Sequence, residues 1–290
     1  MTHTGKRKSA GGRLGRKRRG NVCIFLFLTL LGLFMAFPIY LAVVTSLKPV
    51  EELFIFPPKL YAVHPTLNNF RDMFRVLGEM WVPFSRYAFN SVLVTVTITL
   101  AQCFLASMAA FVFAKCKFPG SRLLNGIIVI SLLYNSNVIY LMQYVVLAKL
   151  HLIDTYAALI LPSVASALGV FLLRQSMQQV PDEIIEAAKV DGASLFTICW
   201  RIVIPNQKPA LMTMSIFAFQ SAWNLQGGSL ILDEAKKTLP TVVQQAAAAG
   251  LARTGVAMAA AIFLLLPPVL FFMVAQKYVM ETMAYSGIKS

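Results

Sequence analysis

The sequence predicts an all-α integral membrane protein with six spanning helices, and three observations support this. Of 290 residues, 58% are hydrophobic and only 13% charged, too apolar for a soluble domain of that length. Six stretches carry no Asp, Glu, Lys or Arg: 20–47, 87–114, 123–148, 155–173, 209–232 and 254–276. A helix needs roughly 20 apolar residues to cross the hydrocarbon core, and each stretch reaches or nearly reaches that length. Basic residues collect in the segments that such a zigzag places on one side, the expected cytoplasmic one. The expected helices are about 22–46, 88–113, 123–147, 156–173, 209–226 and 254–276. They make residues 21–290 one membrane domain behind a basic tail, 1–20.

The net charge of +14 does not imply nucleic acid, because of where it sits. Lys6, Arg7, Lys8, Arg13, Arg16, Lys17, Arg18 and Arg19 precede the first apolar run with no acid among them. That is a topology signal and a contact for anionic membrane lipids. The run that follows is too long for a secretory signal and lacks a clear small-residue cleavage site, so an uncleaved first helix is expected. The four cysteines form no disulfide framework, and with the three histidines they show no metal spacing. There is no G-x-x-x-x-G-K-[ST] loop, so the chain holds no ATP in the P-loop manner and no cofactor of its own is expected. No ionisable carboxylate or amine lies within the six runs, which argues against a proton- or sodium-coupled transporter. No paired carboxylates, Ser/His pair or H-E-x-x-H motif is placed for an intramembrane enzyme.

Taken in order, residues 1–20 are Gly-, Ser- and Arg-rich and expected to be disordered. Helix one carries Pro38, tolerable in a membrane where neighbours satisfy the freed carbonyl. Residues 48–86 form a long external loop with five basic and four acidic residues. Pro57, Pro58 and Pro65 extend its first half, and 67–76 can form a short amphipathic helix. Lys115, Lys117 and Arg122 follow helix two without an acid, so that loop belongs inside. Helix three is polar in its middle, with Asn135, Asn137, Tyr140 and Gln143. Such residues face protein or a water-filled path, so they make either interhelical bonds or a translocation pathway. Residues 150–156 turn the chain outside, and Arg174 ends helix four where a cation snorkels to the inner interface.

Between helices four and five lies the charged segment 180–205. Pro181 suits the first position of a helix, and Asp182 and Glu183 meet the positive end of its dipole. Glu186, Ala187, Ala188 and Lys189 are good helix formers, and Asp191-Gly192 stops the helix with a left-handed cap. Ser194 is an N-cap for a second helix over 195–203, which Pro205 should end. Helix five carries Gln220, Trp223 and Asn224, and residues 227–253 return outside with a small-residue stretch from Ala246 to Gly250. Helix six contains Pro267-Pro268 and should bend there.

The 180–205 segment resembles the EAA loop of the permease subunits of binding-protein-dependent ABC importers. The family pattern is E-A-A, three residues, G, nine residues, then I-x-L-P. Here it is Glu186-Ala187-Ala188, then Gly192-Ala193, then Ile202-Val203-Ile204-Pro205, with Ile204 in place of leucine. Weaker matches are Ser46-Leu47-Lys48, Asn69-Phe70 and Asn90-Ser91, then Leu150 to Tyr156 with His151 where the family has glycine, and Leu172 to Gln175. Phe219, Trp223 and Asn224 match an F-x-x-x-W-N signature. A proline usual near 137–143 is missing, and so is a G-L-x-x-G before Gly287-Ile288-Lys289-Ser290. The chain is similar to the second permease subunit of maltose-type carbohydrate importers, over about residues 40–290.

This resemblance implies the type I ABC importer permease fold in a bacterial inner or plasma membrane, with both termini cytoplasmic. It implies a second permease subunit, a cytoplasmic ABC ATPase dimer that binds ATP and Mg, and an extracytoplasmic solute-binding protein delivering sugar or oligosaccharide. Glu186, Ala187, Ala188, Asp191, Gly192, Ala193 and Pro205 would couple to the ATPase. Small residues let backbones approach, Glu186 meets a basic or amide group, and Gly192 fixes the bend. Asn135, Asn137, Tyr140, Gln143, Gln220, Trp223 and Asn224 are candidates for the substrate pathway. An aromatic beside amides suits a sugar, and a packing aromatic with a helix-end amide is the alternative. A non-sugar solute, an autonomous six-helix transporter or channel, and a plain interfacial linker at 180–205 remain open at this level.

Overall fold

The computed structural model describes residues 18–78, 82–133, 136–247 and 253–286. Most of the basic tail, Asn135, residues 248–250 and the ending 287–290 lie outside the described residues. Every regular element among the described residues is helical.

Helix α1, Arg18–Ser46, is apolar all round, and its side chains from Val22 to Ile39 are exposed, as lipid contact requires. A short helix α2, Val50–Leu53, and α3, Asn68–Gly78, cross the long loop. Asn69 of α3 donates to the carbonyls of Ser46 at 2.8 Å and Lys48 at 2.7 Å, satisfying groups that the end of α1 leaves free. Gly255 lies against this amide, where an added Cβ would stand 2.6 Å from Asn69.

Helix α4, Phe84–Lys115, is the centre of the bundle and at 32 residues is about 48 Å long. Asn90, Ser91, Thr95, Thr99, Gln102 and Ser107 on it are all buried. Polar side chains within a membrane helix turn to the bundle interior, so this stripe fixes which face of α4 packs.

The third span, expected as one helix, runs as two: α5, Ser121–Ser131, and α6, Ser136–Lys149. Lengths of about 16 and 21 Å leave neither able to cross alone. The interruption occurs without the proline that the family pattern would supply. The helix gives way to a turn at Leu132 and Leu133, just before the Asn- and Ser-rich stretch.

The fourth span is also broken, into α7, Tyr156–Val164, and α8, Ala167–Met177, which ends four residues beyond the expected 173. Ala165 and Ser166 are extended, Pro162 lies just before them, and Ser166 accepts from the Gly169 amide at 3.0 Å to start α8 anew. Gly169 allows close approach of the fifth span, since a Cβ there would sit 2.5 Å from Met214 Cε. That span is α12, Lys208–Trp223, shorter than the expected 209–226.

Before it come α9, Asp182–Val190, then α10, Leu195–Thr197, a π-helical stretch Ile198–Val203, and α11, Ile204–Asn206. Pro205 therefore does not end the second arm. The amide of Ile204 reaches back to the Cys199 carbonyl in the wider π turn, and the chain stays helical to Asn206. After α12 the chain makes two 3₁₀ turns and α13, Leu239–Ala247. The last span, α14, Thr254–Ser286, stays one helix through Pro267 and Pro268 and runs ten residues past the expected 276.

Candidate functional site

The charged segment forms two arms joined by a tight turn. Gly192 has φ +80°, its amide donates to the Lys189 carbonyl, and that of Ala193 donates to Ala188, each at 3.0 Å. This pair of reversed bonds is the Schellman cap that a left-handed glycine permits. Ser194 opens the second arm by accepting from the Thr197 amide at 3.2 Å. Pro181 is the residue before the first helical turn, one place earlier than expected.

One side of this element is locked into the bundle. Ile185, Ala188, Ile198, Cys199, Val203 and Ile204 are buried with Ala106, Ala110 and Phe111 of α4 and with Leu173 and Met177 of α8. Trp200 stacks on Phe104 at 5.4 Å. Burial pushes the Cys199 thiol up to about 11. Lys115, at the end of α4, donates to the Val180 carbonyl at 2.5 Å and pairs with Asp182 at 2.7 Å. The hydrogen bond from Lys115 holds the Asp182 carboxyl below its ordinary value.

The other side faces out. Glu186, Ala187, Asp191, Gly192 and Pro205 are exposed, Ala188 is buried and Ala193 half-buried. Apolar side chains of the two arms are also exposed: Val190 at 88%, Phe196 at 55%, Leu195 at 50% and Ile184 at 43%.

A cavity of about 1040 Å³ opens between α4, α5, α6, the α7–α8 break and the end of α12. Tyr140 and Gln143 line it, as do Gln102, Ser131, Ser163, Ser166, Ser221 and Gln226. No Asp, Glu, Lys or Arg is among its described lining residues. Gln102 donates to the Ser163 carbonyl freed by the extended backbone at Ala165, so the broken helix is tied to α4 inside the cavity wall.

Gln220, Trp223 and Asn224 are not among the described residues of this wall. Trp223 is buried, its indole N–H donates to the Leu264 carbonyl at 3.0 Å, and Phe219 beside it stacks on Phe271 at 4.3 Å. Asn224 donates to the Gln220 carbonyl at 2.9 Å, closing α12, and both side chains are exposed. Asn137 falls within α6. Sequence reasoning missed Gln102, although its place in the stripe Ser91, Thr95, Thr99, Gln102 was a usable signal.

At the far end from the two arms, loops are joined by polar bonds. Asn90 donates to the carbonyls of Ala235 at 2.9 Å and Lys237 at 3.0 Å and accepts from Tyr156 at 2.8 Å. Ser91 accepts the Leu239 amide at 2.7 Å. Asp154, at φ +63°, accepts from the amides of Leu232 and Asp233 and pairs with Lys236 at 3.1 Å. His151, where the family has glycine, also has positive φ, +55°. The amide of Asp233 is the first cause that holds the Asp154 carboxyl below its ordinary value, with Lys236 and the Leu232 amide adding to it.

Comparison with known proteins places this arrangement. The family described as binding-protein-dependent transport system inner membrane component matches residues 102–284. The arabinooligosaccharides transport system permease protein AraQ of Bacillus subtilis (strain 168) is 28% identical over 270 residues, covering 92% of this chain and 95% of that protein. The sn-glycerol-3-phosphate transport system permease protein UgpE of Escherichia coli O1:K1 / APEC is 32% identical over 246 residues, covering 83% of this chain and 88% of its own. The crystal structure of a bacterial ABC transporter involved in the import of the acidic polysaccharide alginate aligns with TM-score 0.72 at 20% identity, over 90% of this chain and 98% of that one. That likeness shows the fold.

Proposed function

The chain belongs to the binding-protein-dependent transport system inner membrane components, and we propose on that premise that it forms half of the pathway of an ATP-driven sugar importer. It is a multi-pass membrane permease subunit. The other half comes from a second permease subunit, ATP and Mg are held by a cytoplasmic ATPase dimer, and an extracytoplasmic binding protein delivers the solute. Both termini and the α9–α11 element lie on the cytoplasmic side in this reading.

The observation that carries it is the two-sided α9–α11 element. Its inner face is fused to α4 and α8 by apolar packing, and its outer face offers Glu186 with exposed Val190, Leu195 and Phe196. A motor that grips the outer face would move both helices, and α4 and α8 border the cavity. Closure of the ATPase dimer around ATP would thus be felt at Gln102 and Ser166.

The cavity supports the substrate class. Amides and hydroxyls on an apolar wall suit the hydroxyls and C–H faces of a neutral sugar or oligosaccharide. A phosphorylated solute, as in the name of the Escherichia coli relative, is the second reading. Among the described residues the lining is uncharged and offers such a phosphate no cation.

The test is Glu186→Lys in cells expressing the complete importer. Uptake of a labelled neutral oligosaccharide should stop while the protein still inserts, and the ATPase should no longer co-purify. Unchanged uptake would discard the importer reading.

A further inference from the structure

A second cavity, of about 470 Å³, lies at the end of the bundle that carries α9, away from the exposed face of Glu186. Its walls are the last turn of α4, the 116–120 turn, the first turn of α5 and the last turn of α8. Lys115, Lys117, Arg122 and Arg174 line it against one carboxylate, Asp182. That carboxylate is already paired with Lys115. Lys117 and Arg122 are exposed. Arg174 Nε is buried without a hydrogen-bond partner among the described residues, which is costly unless a ligand completes it. The lining therefore has an excess of cationic donors and a vacant guanidinium N–H.

The surroundings say what kind of anion fits. Phe113 and Phe118 pack 5.7 Å apart within the wall. From Arg122, α5 rises with Leu123, Leu124 and Ile127 exposed, so an apolar track leaves the basic pocket along the helix. A basic pocket between helices at a membrane face, continuous with an apolar wall, matches the two ends of an anionic lipid. Arginine is the side chain suited to a phosphate, through its planar fork of donors.

We propose that this pocket binds the phosphate of an anionic phospholipid, with Lys117, Arg122 and Arg174 as its donors and α5 as the acyl-chain wall. The site touches Lys115, which holds Asp182 at the start of α9, so an occupied pocket braces the element that meets the motor.

The experiment is native mass spectrometry of the full chain in detergent, offered phosphatidylglycerol, phosphatidylcholine or inorganic phosphate. Each cation near an anionic lipid surface contributes about fivefold, so R122Q/R174Q should weaken phosphatidylglycerol binding about 25-fold. K117Q/R122Q changes only exposed side chains, keeps the fold, and should weaken it equally. The basic tail stays in every variant, so its own lipid contacts cancel. Equal retention of phosphatidylcholine, or unchanged phosphatidylglycerol binding in both variants, would overturn the proposal. Displacement of the lipid by millimolar inorganic phosphate would overturn the lipid source and leave a soluble anion.

Discussion

The two ends of the bundle are held together by different physics. At the α9–α11 end the contact is a block of buried side chains, Ile185, Ala188, Ile198 and Val203 against Ala106, Leu173 and Met177, with one ion pair at its edge. At the opposite end apolar clusters that bury Leu230, Ile231, Leu239 and Val242 are joined by a polar network, in which Asn90, Ser91 and the half-buried Asp154 hold the loops. Close-packed cores transmit displacement because they are stiff. Each polar bond contributes only about 0.5–1.5 kcal/mol net, since water replaces it. One end is therefore joined chiefly by apolar packing, and the other by packing together with a polar network.

The sharpest way to break this contrast is Gly192→Val. No atom lies within 4 Å of the site, so the substitution clashes with nothing, but φ +80° is left-handed. That conformation costs roughly 1–2 kcal/mol for a residue with a Cβ, and a β-branched residue is worse placed still. The turn would re-aim α9 against α10. Transport should fall to background while membrane insertion and the unfolding midpoint change little. Uptake at the original level would mean that the rigid geometry of the two arms is not what transmits the stroke.

Next in size is Asn90→Ala at the polar end. It removes three hydrogen bonds and leaves two carbonyls and the Tyr156 hydroxyl short of partners in a buried setting. The expected loss is about 1–3 kcal/mol, read as a lower midpoint in thermal unfolding of the purified protein. Faster hydrogen exchange should be confined to residues 231–239, with the α9–α11 end unaffected. A loss of protection that spread to α9 would show that the two ends are one cooperative unit.

How much of this was legible in the sequence follows the same division. The charge-free runs located the apolar helices, and four stretches of the described residues are long and apolar enough to cross a membrane, because lipid demands length and apolarity that any window reveals. Gly192 and Ser194 could be read because caps are local: one residue's φ or hydroxyl decides them. The breaks in spans three and four could not be read so directly. Ser166 looks like any hydroxyl in an apolar run until the extended backbone at Ala165 frees the Ser163 carbonyl and Gln102 of a distant helix takes it. Trp223 shows the reverse problem. An aromatic beside amides reads as a sugar platform, yet its burial against Leu264 depends on the rotation of α12, which no short window encodes. Asn90-Ser91 was legible as a pair, but its bonds run to residues nearly 150 positions later.

The smallest effect expected is a pH dependence at the polar end. The Asp154 carboxyl is held below its ordinary value, first by the Asp233 amide, with Lys236 and the Leu232 amide adding to it. A lowered folded-state value means that its stabilisation is complete above the unfolded carboxylate value, about 3.9, and drains away as pH falls through the depressed one. Lys236 is shifted the other way, upward, first by its bond to Asp154. Its share is complete below the unfolded lysine value, about 10.4, and is lost as pH rises through the raised one. Asp154→Asn should therefore flatten both limbs of a midpoint-against-pH curve and lower the plateau between them by less than Asn90→Ala does. Ile185 itself carries no titratable group, so Ile185→Val should lower the whole curve without altering its shape. Identical curve shapes for Asp154→Asn and the parent protein would mean that these charges are screened out and the polar network rests on Asn90 and Ser91 alone.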